Sequence, residues 1–228
     1  MDALRRHQLV WLDDGGWDQV LRASRDTAVL DAAGLACLEH WAEQRWPLVV
    51  TRQGALPGST DLDAPLALGL PAPARWGRRR IGVLASRRAL LRHGEFASAA
   101  ELTPSLPRPL RRDWQRLCDG LSAFGVTARV YGSHGWQRLT GLDYVHDRSD
   151  IDLLLDVASA AHADRVCALL EPFGAMAPRI DGELAFTDGS AVAWREWVRL
   201  RAGQTGQVLV KHLAGATLRS AGHWAVAA

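Results

Sequence analysis

Lysine and cysteine are scarce in this chain of 228 residues, and each scarcity argues against a class of protein. The three cysteines, Cys37, Cys118 and Cys167, lie far apart without paired histidines. This spacing predicts neither a disulfide framework nor a zinc site. Positive charge is carried almost wholly by arginine, because Lys211 is the single lysine. The formal net charge is only +2, which gives no overall field that would favour a nucleic-acid partner.

Long apolar segments are also missing. No run reaches the roughly 18 apolar residues of a transmembrane helix, and the first residues lack the apolar core of a signal peptide. The wide cysteine spacing agrees with a reducing compartment. We therefore expect a soluble, cytoplasmic protein without a membrane or nucleic-acid partner.

The most informative acids stand at the start of the apolar run Ile151–Val157. Asp150 and Asp152 are two residues apart, so in an extended strand they project from the same face. Adjacent carboxylates repel and cost stability unless a cation lies between them. Mg²⁺ prefers oxygen ligands of this kind, completed by substrate phosphates. The pair therefore predicts a Mg²⁺ site, although a solvated strand edge would explain an isolated Asp-x-Asp.

A Gly-Ser pair ends the preceding run of strand-forming residues. The segment Val126–Tyr131 is β-type and breaks at Gly132 and Ser133. This favours a tight turn whose backbone amides, with the Ser133 hydroxyl, bind a phosphate. A strand, a Gly-Ser pair and an Asp-x-Asp that opens an apolar strand together resemble the pattern of the nucleotidyltransferase superfamily typified by polymerase β.

The order of predicted elements indicates an α+β protein. Three prolines between residues 103 and 109 predict a domain boundary there. Residues 1–103 are expected to form a small α/β module with no catalytic pattern of its own. Residues 104–228 are expected to form a polymerase β-like catalytic domain with a mixed sheet.

A predicted hairpin supplies candidates for a third carboxylate, which two-metal phosphoryl chemistry generally needs. Its strands are predicted at 179–187 and 191–200, joined by an Asp-Gly turn. Asp181 and Glu183 share a face of the first strand, and Glu196 lies in the second. In polymerase-type relatives the third acid follows a hairpin, which favours Glu196 as the third catalytic and metal-binding residue. Asp181 and Glu183 would then hold substrate hydroxyls, whereas Glu196 could instead pair with a surface arginine.

A narrower resemblance rests on several motifs in one order: YGSHGWQRLTG, RSDIDLLLDV, DGELAF, and AVAWREW followed by VLVK. They resemble the bacterial phosphoribosyl-dephospho-CoA transferases, also called malonate decarboxylase holo-acyl-carrier-protein synthases. The match is clearest over residues 126–212. The N-terminal segments HQLVWL and RWPLVVTRQ are also similar to that family.

The resemblance implies transfer of a prosthetic group from triphosphoribosyl-dephospho-CoA to a serine of the apo acyl-carrier subunit of malonate decarboxylase, with release of pyrophosphate. It places the metal-binding pair on Asp150 and Asp152 and the phosphate-binding pair on Gly132 and Ser133. It also places Lys211 where an ammonium group could neutralise the triphosphate.

Arg138, on a short helix predicted for Trp136–Leu142, is a further substrate-binding candidate. Three alternatives remain open at this point: the citrate lyase carrier as acceptor, an ordinary nucleoside triphosphate as donor, and a nucleotide-binding module without turnover.

Overall fold

The computed structural model describes residues 4–54, 62–174 and 176–224. The chain forms two compact units, residues 1–95 and 96–228. The boundary expected between residues 103 and 104 lies inside the second of these units. Ala99 and Leu102 are buried in that unit's core, and Trp114 Nε1 donates a hydrogen bond of 2.8 Å to the backbone oxygen of Ala99. The proline-rich stretch therefore follows a segment that already packs on the second unit.

The described residues of the first unit form one sheet and two α-helices. Its elements are β1 (Leu9–Leu12), α1 (Asp14–Asp26), α2 (Ala32–Glu43), β2 (Leu48–Val50), β3 (Pro65–Pro71), β4 (Arg80–Ser86) and β5 (Leu90–Gly94), with 3-10 helices at Ala74–Trp76 and Arg87–Ala89. The strand order is β4-β3-β2-β1-β5, and every described strand pair is antiparallel. The predicted α/β module is therefore α+β, because its helices do not connect parallel neighbours.

Aspartates fix the starts of both helices in this unit. Asp13 accepts a hydrogen bond from the backbone N–H of Gly16 at 2.7 Å. Asp31 does the same for Gly34 at 2.8 Å. Each side chain satisfies an amide that has no partner within its helix, which is why these positions begin helices.

The described part of the second unit contains a six-stranded sheet and five α-helices. Its elements are α3 (Ala99–Leu102), α4 (Arg108–Ala123), β6 (Ala128–Tyr131), α5 (Gly132–Thr140), β7 (Ile151–Val157), α6 (Ala160–Leu170), β8 (Ile180–Phe186), β9 (Ala191–Ala193), α7 (Trp194–Arg201), β10 (Val208–Lys211) and β11 (Ala216–Arg219), with 3-10 helices at Thr103–Ser105, Glu171–Phe173 and Ala221–Trp224. The strand order is β11-β10-β9-β8-β7-β6. Strands β7 and β8 are parallel and the other described pairs are antiparallel, so the predicted mixed sheet and α+β class are confirmed.

One face of this sheet is apolar and buried. Ile151, Leu153 and Leu155 of β7 are fully buried and belong to one core with residues of α4, α6 and α7. Gly182 lies beside Leu153 in β8 with φ of +135°. A Cβ at Gly182 would lie 1.9 Å from the backbone oxygen of Leu153, so the close pairing of β7 and β8 requires glycine at this position.

The opposite side of the sheet, which we call the polar face, carries Asp152, Asp156, Asp181, Glu183 and Lys211. The first four alternate with buried apolar residues along β7 and β8. Asp152 and Asp181 are direct partners across the parallel ladder. Strand alternation therefore separates the apolar core from a surface rich in carboxylates.

The second strand of the predicted hairpin is shorter than expected. The turn at Asp188-Gly189 is confirmed, since Asp188 accepts a hydrogen bond from the backbone N–H of Ser190 at 2.9 Å. The strand ends at Ala193 and α7 follows, so the strand predicted for 191–200 is wrong beyond that residue. Trp194, Trp197 and Leu200 are all buried, and their spacing of three residues puts them on one side of a helix but on alternating sides of a strand.

All three cysteines are buried free thiols. Burial raises the pKa of Cys37 and Cys118 to about 11 and that of Cys167 to about 12. Across the described ranges, no helix is long and apolar enough to cross a membrane.

Candidate active site

Helix α5 begins where β6 ends, immediately beside Asp152. Its first residue, Gly132, has φ of +61°. A Cβ at Gly132 would lie 2.0 Å from Oδ2 of Asp152, so a larger residue would displace the carboxylate. Gly132 and Ser133, which were predicted to form a tight turn, lie in the first turn of α5. The helix predicted for Trp136–Leu142 thus begins four residues earlier. Amide groups in a first helical turn have no intrahelical acceptor and favour anions.

The segment between α5 and β7 is tied to the helix that precedes it. Gln137 Oε1 accepts hydrogen bonds from the backbone N–H groups of Tyr144 at 3.1 Å and Val145 at 2.9 Å. Ser149 is buried, and its hydroxyl accepts a hydrogen bond from the backbone N–H three residues earlier. These contacts hold the segment that leads into Asp150, the residue directly before β7.

The structure brings Asp150, Asp152 and Asp181 together. Asp152 and Asp181 are register partners on adjacent parallel strands. Asp150 and Asp181 share one arginine, Arg179. Glu183 lies two residues beyond Asp181 on the same face and is 4% exposed. The three aspartates thus converge where β7 and β8 begin, and the charge of Glu183 reaches Asp152 from the middle of β8.

The surroundings of Asp152 disfavour its ionised form. Burial raises its pKa, and the charges of Asp181, Asp150 and Glu183 raise it further, to about 6. Arg179 opposes this shift. A carboxyl group that resists ionisation in this way belongs to a site whose negative charge is incompletely balanced, which is typical of functional sites.

Arg179 is a member of the cluster that the sequence analysis missed. Its Nη2 donates to Oδ2 of Asp150 at 2.5 Å and to Oδ2 of Asp181 at 3.2 Å. The residue directly precedes β8, so continued alternation places it on the same side as Asp181. That alternation was the signal that could have found it.

Lys211 is also connected to the cluster. Its Nζ donates to Oε1 of Glu183 at 2.6 Å, and the two side chains are 33% and 5% exposed, respectively. A buried carboxylate without such a partner would be costly. Lys211 therefore balances the most deeply buried acid on the polar face.

Two predicted site residues are not brought to these carboxylates by any described contact. Glu196 is exposed on α7, and its Oε2 accepts a hydrogen bond from the backbone N–H of Leu209 at 3.3 Å. The carboxylates whose charge acts on Asp152 are those of Asp181, Asp150 and Glu183. Arg138 is exposed on α5, where its charge acts on Glu101.

The donor chemistry of the cluster fits a hard divalent cation, because all of its acids offer carboxylate oxygens. The absence of a side chain at Gly132 lets the backbone approach the Asp152 carboxylate closely. As the side chains stand, no group of three or more potential ligands among the described residues is arranged to hold a metal ion. Arg179 instead bridges Asp150 and Asp181.

Comparison with known proteins gives a consistent result over both units. The family model described as the phosphoribosyl-dephospho-CoA transferase MdcG C-terminal domain matches residues 95–222, and the corresponding N-terminal domain model matches residues 5–96. The chain belongs to the phosphoribosyl-dephospho-CoA transferase family. The predicted family resemblance is thereby confirmed, as is the prediction that the chain belongs to a family of enzymes.

Similar relatives carry the name phosphoribosyl-dephospho-CoA transferase. The protein from Bradyrhizobium diazoefficiens is 39% identical over 84% of this chain and 80% of its own length. That from Xanthomonas campestris pv. campestris is 35% identical over 93% of this chain and 92% of its own length. That from Xanthomonas axonopodis pv. citri is 33% identical over 90% and 89%, respectively. No solved structure matches the chain, so membership of the transferase family rests on sequence.

Proposed function

We propose that this chain transfers phosphoribosyl-dephospho-CoA from triphosphoribosyl-dephospho-CoA to a serine of the apo acyl-carrier subunit of malonate decarboxylase, with release of pyrophosphate. The observation that carries the proposal is the meeting of Asp150, Asp152 and Asp181 beside the first turn of α5. Membership of the transferase family supports the identity of the transferred group.

The order of elements around the cluster supports a polymerase β-like nucleotidyltransferase fold for the second unit. A strand leads through Gly132 into a short helix, and the paired aspartates flank Ile151, the first residue of the next strand. The mixed sheet then contributes Asp181 from the parallel neighbour. This arrangement suits phosphoryl transfer, in which positioning and charge stabilisation supply most of the rate.

We assign Asp150, Asp152 and Asp181 as the residues that would hold Mg²⁺. Asp181 replaces Glu196 in this assignment, because Asp181 lies opposite Asp152 whereas Glu196 lies on a helix. When bound, the cation supplies neutralisation of phosphate charge and lowers the pKa of the attacking hydroxyl.

The chain's own groups have distinct tasks in the transfer. The N–H groups of the first turn of α5, with the Ser133 hydroxyl, bind phosphate oxygens of the donor. The carrier serine oxygen forms a bond to the α-phosphorus as the bond to the departing pyrophosphate breaks. A carboxylate of the cluster receives the serine proton. The ammonium of Lys211, which is one third exposed, faces the developing negative charge.

The decisive experiment offers the purified chain two apo carriers side by side, those of malonate decarboxylase and of citrate lyase. Pyrophosphate release and the mass of each carrier are followed with Mg²⁺ and with EDTA. We expect Mg²⁺-dependent modification of the malonate decarboxylase carrier. Modification of the citrate lyase carrier alone would show that this carrier, and not that of malonate decarboxylase, is the acceptor. No modification of either carrier would reject the proposed reaction.

Two variants on the polar face make that assay specific for the cluster. Asp152→Asn is nearly isosteric but cannot balance a cation, so we expect transfer to fall by about 10²-fold or more. Asp156→Asn is the matched control, because Asp156 lies on the same strand face but pairs with Arg129 at 2.8 Å. Equal activity of the two variants, both folded by circular dichroism, would contradict the role given to Asp152.

A further inference from the structure

Arg179 joins two carboxylates of the cluster through one nitrogen atom. A single nitrogen, Nη2, lies 2.5 Å from Oδ2 of Asp150, the residue directly before β7, and 3.2 Å from Oδ2 of Asp181 in β8. By contrast, the described ion pair of Arg201 joins it to one aspartate, Asp164. Arg179 thus joins the two acids rather than neutralising one of them.

The bridge that Arg179 forms between Asp150 and Asp181 is exposed to solvent, and the guanidinium can dissociate from both carboxylates. The Arg179 side chain is 52% exposed, and those of Asp150 and Asp181 are each 31% exposed. Exposed ion pairs of this kind are weakly stabilising and readily exchanged. The backbone of Arg179 lies just outside β8, so the side chain can change direction without breaking the described register of that strand.

The charges of the cluster explain why Arg179 bridges Asp150 and Asp181. Asp150, Asp152, Asp181 and Glu183 supply four negative charges, and Arg179 and Lys211 supply two positive ones. Lys211 is paired with the buried Glu183. Arg179 is therefore the described cation that reduces repulsion among the three aspartates. A divalent cation bound to the same oxygens would do this more strongly and would repel the guanidinium.

We propose that Arg179 is an exchangeable counter-ion of this site: its guanidinium and a divalent cation compete for Asp150 and Asp181, so cation binding and release of Arg179 are one event. The inference rests on the proposed function only in taking these aspartates as cation ligands. Arg179 acts here as a positioning residue. It holds the carboxylates of Asp150 and Asp181 close together and dissociates from them when the cation binds.

The proposed competition predicts the direction in which the affinity for Mn²⁺ changes when Arg179 is replaced. Replacing Arg179 with glutamine removes the competitor, so affinity for Mn²⁺ should rise by about three- to tenfold, the range expected from losing two partly exposed ion pairs. Arg179→Lys retains a cation and should bind Mn²⁺ nearly as the wild type does. A residue that merely supports the fold would lower the affinity when removed.

Free Mn²⁺ is measured by electron paramagnetic resonance in a titration of the full chain, without carrier or donor. Arg201→Gln is the matched control, because Arg201 is 43% exposed and pairs with Asp164 away from the cluster. Its Mn²⁺ affinity should equal that of the wild type. Affinity of Arg179→Gln that is unchanged or weaker overturns the competition while leaving the cation site of the proposed function in place.

A second measurement uses the wild-type chain and decides the matter if Arg179→Gln does not fold. Phenylglyoxal modifies accessible arginines, and peptide mass spectrometry reports the rate at each one. Mn²⁺ should speed modification of Arg179 severalfold and leave Arg201 unaffected. An unchanged or slower rate at Arg179 overturns the inference. If the wild type does not bind Mn²⁺, both the competition and the assignment of these aspartates as cation ligands are rejected. Transfer to the carrier is measured in a separate assay.

Discussion

The two faces of β7 are built from alternate residues of one seven-residue strand, yet they contribute in opposite ways. Ile151, Leu153 and Leu155 are fully buried on one face, where each stabilises the fold by about 1.5–3 kcal/mol. On the other face, the pKa of Asp152 is raised by burial and by neighbouring acids. Packing on one side of the sheet therefore stabilises the fold, whereas the carboxylates on the other side repel one another at some cost in stability.

This comparison explains how a strand can tolerate a cluster of like charges. The apolar face supplies enough packing energy to hold β7 and β8 in register while their aspartates repel. The same division makes the faces separable by mutation, because a change on one side should alter activity and a change on the other should alter folding.

The largest expected difference concerns the third carboxylate. Asp181→Asn should reduce kcat/KM for transfer by about 10²- to 10⁴-fold, because Asp181 stands opposite Asp152 on the polar face. Glu196→Gln, on α7, should change it by no more than about twofold. Steady-state kinetics of both variants, with folding checked by circular dichroism, measures the contrast. The reverse order would return the third ligand to Glu196.

A change on the apolar face should act on folding instead. Leu153→Ala removes a fully buried side chain and should lower the free energy of unfolding by about 2–5 kcal/mol. Leu209→Ala is the control, because Leu209 lies in β10 on the same side as Lys211 and is 39% exposed. Urea unfolding is expected to show a loss for Leu209→Ala of no more than about 1 kcal/mol. Similar losses in both variants would remove the distinction between the faces.

The smallest expected effect is a gain. The pKa of Asp152 is about 6 in the folded chain and 3.8 in its ordinary state, so the folded chain binds this proton more tightly. Its contribution to stability is fully present below about pH 4 and is lost as the pH rises to about 6. Asp152→Asn does not carry this pH-dependent penalty.

Without divalent cations, Asp152→Asn should therefore be more stable than the wild type at pH 8, by about 1 kcal/mol after solvent screening. In a chain of this length, that corresponds to a rise in Tm of about 2–4 °C. Thermal unfolding in EDTA at pH 8 and pH 4 measures the effect, which should vanish at the lower pH. A variant that is less stable than the wild type at pH 8 would show that Asp152 stabilises the fold.

Local patterns predicted much of the second unit. The alternation of acids and apolar residues along 150–157 is visible in the sequence because strand geometry has a period of two. The Asp-Gly turn follows from a similarly short-range signal, and the mixed sheet was predicted from the order of the elements. The convergence of Asp150, Asp152 and Asp181 needed the parallel register of β7 and β8, which no short segment encodes.

The failures have physical causes of the same kind. Trp194 and Trp197 are aromatic and so favour a strand by composition, but their spacing buries them together on α7. Glu196 was predicted as the third ligand from a strand at this position and from the polymerase-type pattern, whereas the structure places it on α7. Arg179 was missed because its role depends on two acids from different strands, of which only Asp181 is near it in sequence.

The buried thiols give each unit its own reporter of opening. Cys37 lies in the first unit, and Cys118 and Cys167 lie in the second. Their high pKa values and burial should protect them from alkylating reagents until the surrounding structure opens. Labelling rates resolved peptide by peptide would therefore yield a separate opening free energy for each unit from the unmodified wild-type chain.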